Sequence, residues 1–174
     1  MLVRPRLRWI LGAVAVVVAV IAGLTARFLI WPTQPHLQRA DAIIMLGGSP
    51  SRYNEVFKLY GEGYAHVLVF SVDDPQVCPK AIAGMVTMCF RPSPFSTQGE
   101  ARYIGQLARS HGWTHLIVVS SVPQMARAQL RISRCWAGQL QVVGVSPHDI
   151  VRWTYQVVYE WAALAKAELW QRAC

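Results

Sequence analysis

The chain has 174 residues and a formal net charge of +8. Four of its 17 Lys/Arg lie in the first 31 residues, which hold no acid, so the rest carries 13 basic against 9 acidic residues, a net of +4. Those charges are dispersed, with no basic run interleaved with aromatics, which argues against nucleic-acid binding but leaves open an anionic ligand or membrane surface.

From Trp9 to Ala26 the chain carries no charge, and Arg27 is followed by the apolar Phe28-Leu-Ile-Trp31. About 20 apolar residues span the hydrocarbon core of a bilayer as a helix. Arg4, Arg6 and Arg8 precede the run, so the positive-inside rule predicts a cytoplasmic N-terminus and a domain outside the plasma membrane. Trp9 and Trp31 are expected near the two interfaces, with Arg27 snorkelling from one end. A cleaved signal peptide is the rival reading. It is disfavoured because h-regions run to only about 7–15 residues and Leu24 suits a cleavage site poorly. Residues 1–31 thus read as tail and anchor, 32–39 as a stiff linker with Pro32 and Pro35, and 40–174 as one domain.

Within that domain, Ala42 to Leu46 is an unbroken apolar run, as in a strand buried on both faces. A helix follows from Ser51, its expected cap, to Gly63, with Tyr53, Val56, Phe57 and Tyr60 on one stripe. Val67–Phe70 reads as a second strand ending at Ser71, and Met85–Phe90 as a third after an irregular stretch. Thr97–His111 is predicted helical, capped by Ser96 or Thr97, with Glu100 in the first turn. Leu116–Val119 is a fourth strand, and a basic helix begins at Pro123 and runs to about Trp136. Leu140–Val145 is a fifth strand. Ser146 to Asp149 caps a last helix whose Ile150, Trp153, Val157, Trp161, Leu164 and Leu169 form a packing stripe. Alternating strands and helices predict an α/β, Rossmann-like three-layer domain with a mostly parallel sheet, preceded by one transmembrane helix.

The polar positions cluster where such a sheet places its ligands, at the carboxyl ends of its strands and the helix N-termini that follow. Gly47 and Gly48 follow the first strand, with Arg52 in the next helix. Ser71 ends the second strand, and Ser120 and Ser121 end the fourth, leading into Gln124 and Arg127; Thr97 and Glu100 open the helix between. Two arginines with hydroxyls and backbone amides suit a phosphate or carboxylate. Three roles stay open for Glu100: general acid or base, orienting an arginine, or stabilising its helix. The glycines form neither a Gly-X-Gly-X-X-Gly pattern nor a P-loop. The histidines fall away from the predicted crevice, there is no Gly-X-Ser-X-Gly, and no cofactor is specified. Asp73 and Asp74, in the loop after the second strand, make a hard divalent cation conceivable, but two adjacent loop acids are usually solvated and no metal is expected. Cys78, Cys89, Cys135 and Cys174 have no zinc-site spacing and no Cys-X-X-Cys. Outside the cytoplasm disulfides persist, and Cys78–Cys89 is the favoured pair, against free buried thiols; Cys174 is the least expected to matter.

Taken in order, Ala40-Asp-Ala-Ile-Ile-Met-Leu-Gly-Gly48, Arg52, Leu59 through Gly63-Tyr-Ala65, Ser71, Ser96-Thr97 with Glu100-Ala101, and Val118-Val-Ser-Ser121 with Arg127-Ala128 resemble the SanA/YdcF/ElyC-like family. The likeness spans residues 40–146, and Trp153 with Tyr159-Glu160 resembles that family's C-terminal helix. It implies a Rossmann-like domain, often membrane-anchored in bacteria, associated with envelope integrity or cell-wall precursor metabolism. Two departures stand out. Gln124 occupies a position where the family usually has histidine, and Gly99-Glu100 replaces its usual acidic-Asn pair. Glutamine hydrogen-bonds but shuttles no proton near neutral pH.

These readings together predict a membrane-anchored domain that binds an anionic or phosphorylated envelope metabolite, or a lipid-carrier head group. The alternatives are a hydrolase or transferase on a lipid-linked cell-wall precursor using Glu100, and a non-catalytic interaction protein whose site has decayed.

Overall fold

The computed structural model describes residues 3–48, 50–80, 84–146 and 150–174. Helix α1, Val3–Thr25, continues into a π-helical turn, Ala26–Ile30. The apolar stretch Leu7–Ile30 is long and apolar enough to cross a membrane. Trp9 and Trp31 stand exposed at its two ends.

Five strands follow: β1 (Ala42–Met45), β2 (Val67–Ser71), β3 (Val86–Phe90), β4 (His115–Ser121) and β5 (Gln139–Val145). All pair in parallel, in the order β3-β2-β1-β4-β5. That order reverses direction between β1 and β4, and in doubly wound sheets ligands sit at such a reversal. Every residue of β1 is buried, which explains why its sequence shows no alternation.

Helices cover both faces. On one, α2 (Ser51–Gly61) seats Val56 and Leu59 against Ile43, Phe70 and Val119. On the other, α3 (Thr97–His111) and α4 (Met125–Cys135) bring Ala101, Ile104, Ala128 and Ile132 against Ile44, Val69 and Val118. The side of the sheet each helix takes decides which strand-end side chains it meets. Ser71 shares its face with Val69, and so meets α3.

Several boundaries differ from the sequence reading. Ser51 is the first residue of α2 rather than its cap, because Pro50 precedes it with helical φ/ψ and makes no side-chain cap bond. The basic helix does not begin at Pro123; Val122–Gln124 first form a 3₁₀ turn. The expected cap at 147–149, including His148, lies outside the described residues. By contrast α3 has the expected bounds: Ser96 Oγ accepts from Gly99 N–H at 3.3 Å, and Gly112 closes the helix at φ 65°. Gly99 itself is required by packing, since a Cβ there would lie 2.0 Å from the Pro94 carbonyl oxygen.

The linker does more than leave the anchor. Gln34 donates to Gly144 O and accepts from Gly144 N–H at 3.0 Å, and Gln38 N–H donates to Gln141 Oε1 at 3.1 Å. On the exposed edge of β5 the Gly144 backbone is thereby bonded by a side chain instead of offering itself to another strand.

Two disulfides close the fold. Cys78–Cys89 forms as favoured from the sequence. Cys174 does not stand idle: it bonds Cys135 at the end of α4, with Cα atoms 4.8 Å apart. The tail reaches that position because Arg102 Nε donates to Cys174 O at 2.9 Å and Arg131 donates to Gln171 O and Oε1. No described cysteine is free.

The last helix, α5 (Ile150–Leu169), packs against α4 and the 3₁₀ turn rather than on the sheet. Its inward side includes Trp153, Val157, Leu164 and the wholly buried Ala167. Leu169, expected in that stripe, is instead exposed, because it lies on the opposite side of the helix from Ala167 and Glu160.

Candidate functional site

The carboxyl ends of β1, β2 and β4 meet the N-terminal ends of α3 and α4 at a cleft of about 300 Å³. It is lined by Gly47, Gly48, Asp73, Ser96, Thr97, Glu100 and Gln124, with Pro92 and Phe95 at its side. A second hollow of about 280 Å³ shares Gly48 and Asp73 and extends past Ser71 and Tyr53. Gly48, at φ 134°, turns the chain in a conformation that L side chains rarely adopt. The Arg52 guanidinium packs against that bend.

One hydrogen-bonded chain runs behind the cleft. Glu100 Oε1 accepts from Gly47 N–H at 2.7 Å, and the Ser71 hydroxyl also bonds the carboxyl. Arg52 Nη1 donates to Leu46 O at 2.8 Å and to Gly47 O, and Nη2 donates to Gln124 Oε1 at 3.1 Å. Gln124 Nε2 donates to Thr97 Oγ1 at 2.9 Å, and Arg127 Nη1 donates to the same oxygen at 2.7 Å. Arg127 Nε and Nη2 then grip the two Glu160 oxygens, each at 2.7 Å, while its guanidinium lies over the Tyr159 ring at 5.7 Å.

Most residues anticipated for the crevice are therefore neighbours: Gly47, Gly48, Arg52, Ser71, Thr97, Glu100, Gln124 and Arg127 all belong to the cleft or this network. Ser120 and Ser121 do not line the cleft. The chain turns at once into Val122–Gln124, which covers the end of β4 and leaves both serines buried. None of the four described histidines lines either hollow. Among the described residues no three His, Cys, Asp or Glu side chains gather as a metal site.

The electrostatics follow from burial. Desolvation pushes the Glu100 carboxyl above the ordinary glutamate range, against the opposing pull of Gly47 N–H, Ser71, Arg52 and Arg127. Burial also works against the Arg127 cation, but the Glu160 carboxylate outweighs it and holds Arg127 above its usual value. The arginines do not present an open fork to a ligand, as their spacing in the sequence suggests. Arg52 is turned onto backbone carbonyls and Gln124, and Arg127 onto Glu160 and Thr97. What lines the cleft is the Ser96 and Thr97 hydroxyls, the Gln124 amide, the Glu100 and Asp73 carboxyls and the N-terminus of α3, with the charge of Arg127 answered behind it by Glu160.

Glu160, named from the sequence only in the resemblance of the last helix, is the residue that sequence reasoning did not place at the site. Its signal was an acid inside the apolar Val157–Ala163 run, since an acid on a buried helix face needs a partner. Asp73, read from the sequence as a loop acid and conceivable cation ligand, lines both hollows. No family model, no curated protein and no solved structure matches the chain.

Proposed function

We propose that this chain is a single-pass membrane protein, N-terminus in the cytoplasm, that displays an anion-binding domain of the SanA/YdcF/ElyC-like kind outside the plasma membrane. Its ligand is an anionic or phosphorylated envelope metabolite, or the head group of a lipid carrier, and its role lies in envelope integrity. The observation that carries the reading is the cleft itself. It sits at the sheet's reversal point and combines the capped α3 N-terminus, two hydroxyls and an amide, with Arg52 and Arg127 hydrogen-bonded directly behind them. The basic residues before the apolar helix support the orientation, and two disulfides support an oxidising compartment.

The test is thermal unfolding of the full chain in lipid nanodiscs with inorganic phosphate, pyrophosphate, a nucleotide sugar or a long-chain isoprenyl phosphate. A ligand at a hundred times its Kd stabilises the native state by about 2.7 kcal/mol. The expected result is a midpoint rise with at least one phosphate-bearing ligand that disappears in Arg52→Gln/Arg127→Gln, provided that variant still melts cooperatively. A panel without any rise, or an equal rise in the folded variant, overturns the reading.

Glu100 favours a second reading, in which the same site turns its ligand over. A cleft carboxyl whose pKa burial raises above the ordinary glutamate range is suited to general acid–base work. Hydrolysis or group transfer on the phosphorylated ligand would then stop in Glu100→Gln while binding survives. Binding without turnover in the native chain excludes this second reading and leaves the first intact.

A further inference from the structure

Helix α5 is apolar on two sides. Its inward face packs on α4, yet Val151, Tyr155, Val158, Ala162, Ala165 and Leu169 form a second stripe that faces solvent along its length. Their spacings alternate four and three, so all six fall within one narrow sector of the helix. Tyr155 and Val158 are 71% and 68% exposed, a large apolar area for one helix face to leave to water.

What lies next to that stripe names the occupant. Trp161 Nε1 donates to Thr25 Oγ1 at 2.9 Å, joining the middle of α5 to the last turn of the apolar helix. The following turn is docked too: Leu29 is wholly buried, and Ala26–Ile30 packs on α4, α5 and Val122–Gln124. A 24-residue span, Leu7–Ile30, is roughly 36 Å long against a hydrocarbon core of about 30 Å. Its docked end therefore reaches the interface, and α5 cannot be far from it. The stripe is flanked by Tyr159 and Trp161, and the exposed Trp170 follows the helix. Aromatic residues with one polar edge favour that depth of a bilayer. Beside Ala162 and Tyr159 opens a cleft of about 240 Å³ with Arg127, Arg131 and Lys166 in its wall. Arg102 and Arg134 lie within electrostatic reach of Arg131; Glu160 and Glu168 answer Arg127 and Arg134, and the flank keeps a net cationic charge.

We propose that the outer stripe of α5 beds into the bilayer surface from which the anchor emerges, with the cationic cleft beside it facing anionic head groups. Interfacial helices lie in the plane of the membrane with their apolar face about 5–10 Å into the head-group boundary. A second copy of the chain fits the stripe less well: Ala162 and Ala165 place small side chains where a helix–helix seam wants Leu or Ile. The placement rests on reading Leu7–Ile30 as a membrane span. It gives the crevice a fixed position, because α5 also supplies Glu160 and Tyr159 to Arg127; the phosphate-binding site is held at the level of lipid head groups.

Nitroxide labels on the full chain in phosphatidylglycerol–phosphatidylcholine vesicles test this. Val158→Cys and Ala165→Cys report on the stripe, Val17→Cys on the anchor, and Gln106→Cys on an exposed helix face of the domain. Labelling without reductant spares the two native disulfides. The expected result is a severalfold higher ratio of oxygen to aqueous-nickel relaxation at 158 and 165 than at 106, approaching that at 17. A ratio at both stripe positions equal to that at 106, with 17 in lipid, overturns the proposal. So does dipolar broadening between labels on different copies that fades on dilution in lipid, which assigns the stripe to self-association. An aqueous label at 17 removes the span reading itself, and this placement with it.

Discussion

Arg127 and Glu160 lock helix α4 to helix α5 through two hydrogen bonds of 2.7 Å between side chains only 12% and 5% exposed. A pair this buried does not behave as a surface ion pair. Glu160→Ala leaves a desolvated guanidinium without its counter-charge, and breaking a buried pair in this way costs about 3–5 kcal/mol. The Arg134–Glu168 pair joins the same two helices, but Glu168 is half-exposed, so Glu168→Ala should cost no more than about 1 kcal/mol. Urea unfolding of both variants checks the contrast. Equal midpoints would show that the α4–α5 junction carries little of the stability.

Glu100 makes stability depend on pH in a direction unusual for a carboxylate. Its folded-state pKa is raised, chiefly by burial, above the reference value of 4.5. Above that reference the folded state holds more protons than the unfolded state, so stability falls as pH rises toward the folded pKa. The contribution is fully present below about pH 4.5 and is lost on the alkaline side. Glu100→Gln keeps an oxygen acceptor for Gly47 N–H but cannot titrate. The difference in melting temperature between native chain and variant should therefore shift in the variant's favour as pH rises from 4 to 8. A constant difference across that range would show that the carboxyl titrates normally.

Gln124 links Arg52 to Thr97. Its Oε1 accepts from Arg52 and its Nε2 donates to Thr97 Oγ1, both in buried surroundings. Gln124→Ala removes the Oε1 acceptor of Arg52 Nη2 and one donor from the threonine, a loss of about 1–3 kcal/mol. Thr97 Oγ1 then keeps the Arg127 Nη1 donor, and the cleft wall loosens as well. Gln124→His should recover part of the stability, since a neutral imidazole accepts on one nitrogen and donates on the other. Denaturant midpoints of the two variants settle the order; a neutral Gln124→Ala would show that water replaces the amide without cost.

The elements of this domain were legible where a local signal sufficed. Unbroken apolar runs marked the strands because a parallel sheet covered on both faces has no polar side, and Ser96 with Gly112 bracketed α3 through its caps. Arg52, Thr97, Glu100 and Arg127 were also readable, because carboxyl-end positions follow from strand order. Their partners were not. Glu160 stands 33 residues from Arg127, and its pairing needs the docking of α5, which no window of sequence contains. The same limit applied to α5: with two apolar stripes, periodicity selects a helix but not the side it buries, and Leu169 was assigned to the wrong one. The end of β4 shows a third limit. Ser120 and Ser121 looked like crevice residues by position, but a 3₁₀ turn of three residues was enough to cover them.

The two disulfides should contribute unequally. In the chain-entropy account, stabilisation grows with the loop a crosslink closes: the 11-residue separation of Cys78–Cys89 corresponds to about 3 kcal/mol and the 39-residue separation of Cys135–Cys174 to about 4 kcal/mol. Position widens the gap. Cys135 terminates α4, and its partner closes a tail that Arg102 and Arg131 hold across α3 and α4. Cys78–Cys89 ties the loop before β3 to the outermost strand of the sheet, where fewer contacts depend on it. Replacing Cys135 and Cys174 together by serine should thus lower the urea midpoint more than replacing Cys78 and Cys89. Calorimetry of the two double variants measures the order directly. The reverse order would mean that the arginine contacts alone hold the tail and that the weak point of the domain lies at β3.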